Sequence, residues 1–225
     1  MTLTRRERVR QQTLVEIKQH AIAQVADGGA AGLSLNAIAR AMGMSGPAIY
    51  RYYASRDELL GELVTDAYAE LTATLERVAA ETARRAPARR LAAVADAYRA
   101  WALEQPRRYG MLFGERPQEF ADPEEGIAAV HGAMLVLLGL LSELAGEDGA
   151  TTARATRLDA QLTRWAQRRG GEASPLVLRL GVLTWTRLHG IVSLELAGVF
   201  DAMGLDAGLL LDAELAQVVT AAPGA

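Results

Sequence analysis

The residues most open to chemical use in this chain do not form a catalytic set. Its three histidines stand at 20, 131 and 189, and it has no cysteine. No metal-spaced cluster, thiolate site or cysteine nucleophile follows from that inventory. A Gly-x-Gly-x-x-Gly turn, a Walker loop and a Gly-x-Ser-x-Gly elbow are all missing from the sequence. The expectation is therefore a protein that is not an enzyme, with no cofactor and no metal. The informative stretch is Ser45-Gly-Pro-Ala-Ile-Tyr-Arg-Tyr-Tyr53, where small, aromatic and basic residues sit together. It lies in a basic head: residues 1–60 carry a formal charge of +3, and residues 61–225 carry −6. A basic segment on an acidic body is the charge pattern of a nucleic-acid-binding module with a second function attached.

Two short helices must hold that stretch in place. Ser34 is positioned to cap a helix in which Leu35, Ile38 and Ala39 face inward, and Gly43 ends it. Ser45 is then expected to cap a second short helix running through Tyr53. Two short helices joined by a glycine-containing turn make a helix-turn-helix, whose second helix enters the major groove. Gly46, Pro47 and Ala48 let that helix end come close to base edges. Proline is tolerated there because first-turn amides have no partner within the helix.

The rest of the chain also reads as helix. Leu14, Ile17, Ala21 and Val25 share one helical face, which stops at Gly28-Gly29. Leu59, Leu63, Leu71, Leu75 and Val78 make a long stripe, and Leu91, Val94, Tyr98 and Trp101 another. Ser55-Arg-Asp-Glu58 has capping-box spacing, and Asp122-Pro123 and Ser174-Pro175 each open a helix with proline at the first position. Gln105-Pro106 closes one. Helices are expected at 5–27, 35–42, 46–53, 57–83, 88–104, 106–114, 123–145, 152–169, 175–200 and 206–220, with loops at 115–122 and 146–150. The fold class is all-α. Half of the 225 residues are apolar and 23% are charged, the composition of a folded protein rather than a disordered one. The longest apolar run, Ala133 to Leu141, is too short to span a bilayer. Neither a membrane span nor a signal peptide is expected, and a cytoplasmic location is.

Residues 8–60 closely resemble the DNA-binding domain of the tetracycline-repressor (TetR) family, above all Leu33–Tyr53 and Ser55–Leu60. Met44 and Arg56 depart mildly from its commoner valine and lysine. The Trp185-Thr-Arg-Leu-His-Gly190 run is similar to a subgroup named for Trp, His and Gly. The resemblance implies a helix-turn-helix domain at 1–56 and an effector-binding and dimerisation domain at 57–225. It also implies that Ser34 and Tyr50 bond backbone phosphates and that Arg56 adds charge beside them, contacts that set register without reading sequence. Ser45, Gly46, Pro47, Ala48 and Arg51 would face the groove, with Arg51 able to pair with a guanine edge. Tyr52 would reach a phosphate or a thymine methyl, while Ile49 and Tyr53 pack inward. Arginines 5–10 are either an arm for a flanking minor groove or a solvated terminus.

The implied partners are a double-stranded DNA operator, a small-molecule effector and a second copy of the chain. Dimer contact falls to the helices at 175–200 and 206–220, through Leu176, Leu180, Leu183, Leu194, Leu209, Leu215 and Val218, with Gly181, Gly190 and Gly198 allowing close approach. The alternative is that these stripes fill the chain's own core. Tyr68, Trp101, Met111, Phe113, His131, Met134, Leu138, Trp185 and His189 are the candidate ligand-binding residues, each open to an ordinary core role. Trp165, with Leu158 and Leu162, marks a further amphipathic helix with no evident partner. The double arginines at 84–85, 89–90, 107–108 and 168–169 are expected only to solvate exposed faces. A repressor released by a small, largely apolar molecule is the leading expectation. A ligand-binding or interaction dimer without DNA binding, or an unrecognised enzyme, is the alternative.

Overall fold

The computed structural model describes residues 4–114, 124–152, 156–168 and 171–222, and the side chains of all of these but 124–130 and 147–152. Every regular element among them is helical: α1 (Arg5–Gly28), α2 (Leu35–Ala41), α3 (Gly46–Ile49), α4 (Arg56–Glu81), α5 (Pro87–Glu104), α6 (Pro106–Phe113), α7 (Glu124–Thr152), α8 (Arg157–Gln167), α9 (Pro175–Leu196), α10 (Val199–Met203) and α11 (Ala207–Ala221), with a 3-10 turn at Ala30–Gly32. The chain divides into two compact units. One is Met1–Glu70 with Gln105–Val130, the other Leu71–Glu104 with His131–Ala225.

Helix boundaries in the first unit fall where local chemistry stops or starts the backbone ladder. Thr4 and Glu7 form a reciprocal capping box, so α1 begins at Arg5. Residues 5–10 are thus the first turns of a helix and are exposed along their length. Gly29 ends α1 at φ 66°, and Gly43 turns the chain between α2 and α3 at the same φ, a region that costs a side chain with a Cβ roughly 1 kcal/mol or more. Ser34 accepts from the Ala37 amide at 3.3 Å. Ser45 does not cap with its side chain, contrary to expectation. The third helix is also shorter than expected, because after Ile49 the amides of Arg51 and Tyr52 bond three residues back, to Ala48 and Ile49. At the start of α4, Ser55 accepts from the Glu58 amide at 3.0 Å. The Glu58 carboxylate reaches one residue further than a capping box, to the Ala54 amide at 2.6 Å. Ile17, Ala21, Ile38, Ala39, Ile49 and Leu59 are completely buried and make the core of this unit.

In the second unit α9 is the hub, in contact with α5, α8, α10 and α11. Leu176, Leu180, Leu215 and Val218 are buried in this core, so four of the seven residues expected at a dimer contact serve the chain's own packing. Leu183, Leu194 and Leu209 stay exposed, Leu209 by 68%. Gly181 is where the Leu138 side chain of α7 meets α9, an intrachain close approach. Gly198 breaks the helix expected at 175–200, with φ 71° and ψ 12°. The loop expected at 146–150 is instead a kink: Gly146 takes φ 64° and helix resumes as far as Thr152. The loop at 115–122 and the cap at Asp122-Pro123 lie outside the described residues. α8 finds its partner in α9, where buried Asp159 pairs with Arg179 at 2.5 Å while closing the Thr156 capping box. Of the double arginines, Arg90 pairs with Glu143 and Arg108 with Glu70, so those two do more than solvate a surface; Arg169 lies outside the described residues.

Candidate nucleic-acid interface

The short α3 presents two opposed sets of side chains. Ile49 is completely buried and Tyr53 is 2% exposed, so these two anchor the segment. Tyr50 is 49% exposed and Arg51 is exposed beside it. Ser45 and Pro47 are exposed as well, with Gly46 and Ala48 partly covered. A methyl group at Gly46 would meet only Asn36 Oδ1, at 3.7 Å. Among the described residues no contact therefore requires glycine there, and the outer surface of this helix start is left smooth. Ser34 bonds the Gln24 side chain through its amide, and its hydroxyl oxygen is taken up by the Ala37 amide. The hydroxyl proton can still be donated outward.

Two features of the surroundings were not legible in the motif. Arg10, on α1, lies over the Tyr52 ring at 5.1 Å from its centroid. That cation–π contact fixes a partly buried ring and adds positive charge beside it. Arg56 donates from Nε to Asp57 at 3.0 Å, so part of its charge is compensated within the chain. The Thr4-x-x-Glu7 pattern was the available signal for Arg10, because it marks residues 5–10 as helix and so gives Arg10 a fixed place on α1.

On the α1–α4 side of the same unit, Lys18 bridges Glu62 at 2.6 Å and Asp66 at 2.5 Å. Burial works against its ammonium, but the hydrogen bonds and charges of Asp66 and Glu62 prevail and hold it above the usual lysine range. For Glu62 burial likewise opposes charge, and Lys18 with Tyr53 holds the carboxyl below its usual range. The Tyr53 phenol is pushed well above its ordinary value by burial first, then by Glu62, Asp66 and Glu58. Its hydroxyl faces Glu62 without reaching good hydrogen-bond geometry.

The candidate ligand residues fall into separate places. In the first unit Tyr68 meets Phe113 edge-on at 6.2 Å, and Met111 is buried at a cleft that also includes Val25 and Arg107. In the second unit His131, Met134 and Leu138 line one half-open cleft of about 350 Å³ together with Trp165, Ser142, Glu172 and Leu178. Trp185 stacks on His189 at 5.8 Å and meets Tyr98 edge-on at 5.4 Å. Tyr98 and His189 Nδ1 are 3.4 Å apart, and burial holds the imidazole below its usual range. Trp101 is buried on α5. The α7–α8 cleft gathers three of the nine, His131, Met134 and Leu138, around open space.

Known proteins agree with this architecture. Residues 17–63 match the model for bacterial regulatory proteins of the tetR family, and residues 91–218 match that for the tetracyclin repressor-like C-terminal domain. The HTH-type transcriptional regulator Rv1816 of Mycobacterium tuberculosis is 32% identical over 222 residues, which cover 96% of this chain and 94% of that one. The solved structure of the regulatory protein SCO4313 is 41% identical with a TM-score of 0.78, covering 96% of this chain and 98% of that one. The TetR-family regulator PfmR of Thermus thermophilus shares the fold at 18% identity, with a TM-score of 0.63 and coverage of 91% and 97%. The chain belongs to the TetR family of transcriptional regulators. No described helix is long and apolar enough to cross a membrane.

Proposed function

We propose that the chain is a repressor that binds a palindromic operator as a homodimer and leaves it when a small, largely apolar molecule is bound. DNA contact is assigned to residues 1–56, through Ser34, Ser45, Gly46, Pro47, Ala48, Tyr50, Arg51, Tyr52 and Arg56. Residues 57–225 take the effector and the partner copy. The observation that carries the reading is the polarity of α3: Ile49 and Tyr53 hold it from within while Tyr50 and Arg51 project outward past a glycine that no contact among the described residues explains. The exposed Leu183, Leu194 and Leu209 support a partner against α9 and α11. The α7–α8 cleft supports an apolar effector, since its lining is Met, Leu, Trp, Ala and Gly apart from His131, Ser142 and Glu172. A ligand preferring a dimer geometry with the wrong operator spacing lowers DNA affinity by its differential affinity for the two states.

The test is a mobility-shift titration with the DNA flanking the chain's own gene. Tyr50→Ala and Arg51→Ala are each expected to weaken binding by roughly tenfold or more, the size of a lost charged or base-edge contact, with helix content unchanged. Undiminished binding in both variants contradicts the assignment.

A further inference from the structure

Of the 24 basic residues in the chain, Lys18 alone is a lysine. It stands on α1 with its Nζ between Glu62 and Asp66, one turn apart on α4 and within 2.6 Å and 2.5 Å of it. A compact ammonium suits that place: it can serve two carboxylates as a point charge, where a planar guanidinium fork would ask for one aligned partner. Elsewhere the chain uses arginine. Glu62 is also the carboxylate that Tyr53 faces from the far end of the recognition segment. One cluster thus joins α1 to α4, on the side that faces the residue anchoring the exit of α3.

We infer that Lys18 is a positioning residue for DNA binding, clamping α1 to α4 at the carboxylate beside Tyr53 and so fixing the angle at which Tyr50 and Arg51 meet the duplex. The inference rests on the DNA-binding reading above. Lys18 is 22% exposed, but Glu62 and Asp66 are open to solvent at 45% and 52%, and ion pairs screened by solvent in this way add little to global stability. The clamp therefore acts on orientation, and DNA affinity is the quantity that responds to it.

The probe is the duplex that the wild-type chain enriches from a randomised library, titrated over a range of salt concentrations. Lys18→Gln is expected to weaken binding by about tenfold, a coupling typical of residues in one network, with helix content and thermal midpoint close to wild type. Lys18→Arg should recover part of the loss. In a Glu62→Gln background the same Lys18→Gln change should cost much less. The slope of log affinity against log salt should stay at the wild-type value. A slope shallower by about 0.9 would mean that Lys18 neutralises a phosphate itself and would overturn the clamp. So would Lys18→Gln binding at wild-type strength, or a loss equal to its unfolded fraction. If the wild-type chain enriches no duplex, the DNA-binding reading falls and the clamp with it; if it enriches one that Lys18→Gln binds equally well, the clamp alone falls.

Discussion

Tyr50 and Tyr53 lie three residues apart in one short segment, yet one is 49% exposed and the other 2%. The resemblance to the TetR DNA-binding motif separates them, because the two tyrosines fall at different positions of that motif; composition and spacing alone do not. The sequence could not separate Trp101, Met111 and Trp185 from ligand contacts, since a large apolar side chain looks the same whether it fills a core or lines a cleft. His189 is a residue whose burial has a measurable consequence. Its folded-state pKa lies below the usual 6.5 because burial disfavours the charged ring. As pH falls through 6.5 the unfolded chain takes up that proton first, so the folded state loses stability until pH drops below the folded value. Urea unfolding at pH about 7.5 and about 5.5 is expected to give a smaller acid loss for His189→Gln than for wild type. An equal loss in both would mean that other groups set the acid limit.

At the scale of elements, punctuation was the legible part. Ser34, Ser174, Pro106 and the glycines at 29 and 43 start and stop helices by local rules, and the observed boundaries follow them closely. What escaped was non-local. The Lys18 pairs span more than forty residues of sequence, and the α8–α9 link through Asp159 and Arg179 spans twenty; no periodicity announces either. Two glycines separate backbone need from surface need. Gly198 sits at φ 71° with open space around a notional Cβ. Gly198→Ala should therefore cost about 1 kcal/mol or more for its dihedral alone. Gly190 is inside α9, also with open space. There alanine should stabilise the isolated chain by ~0.5–1 kcal/mol through helix propensity, and weaken self-association if that space is filled by a partner helix. Chemical denaturation and sedimentation of the two variants read these effects separately. Stabilisation by Gly198→Ala would contradict the backbone argument.

For the molecule as a whole, the asymmetry of charge and the family membership point the same way, toward a basic DNA-reading portion joined to a regulatory one. Binding by a single short helix is weak and poorly discriminating, so the proposed repressor needs two copies acting on one duplex. Twofold pairing would place their recognition segments in successive major grooves, one turn or about 34–36 Å apart. Hydroxyl-radical footprinting of the enriched duplex, with the chain-to-duplex ratio measured in the same complex by sedimentation, tests this most directly. Two chains per duplex and two protected patches one helical turn apart, both lost in Tyr50→Ala, are predicted. A single patch with one chain bound, or protection unchanged in Tyr50→Ala, would contradict the claim that a symmetric pair of α3 segments reads the DNA.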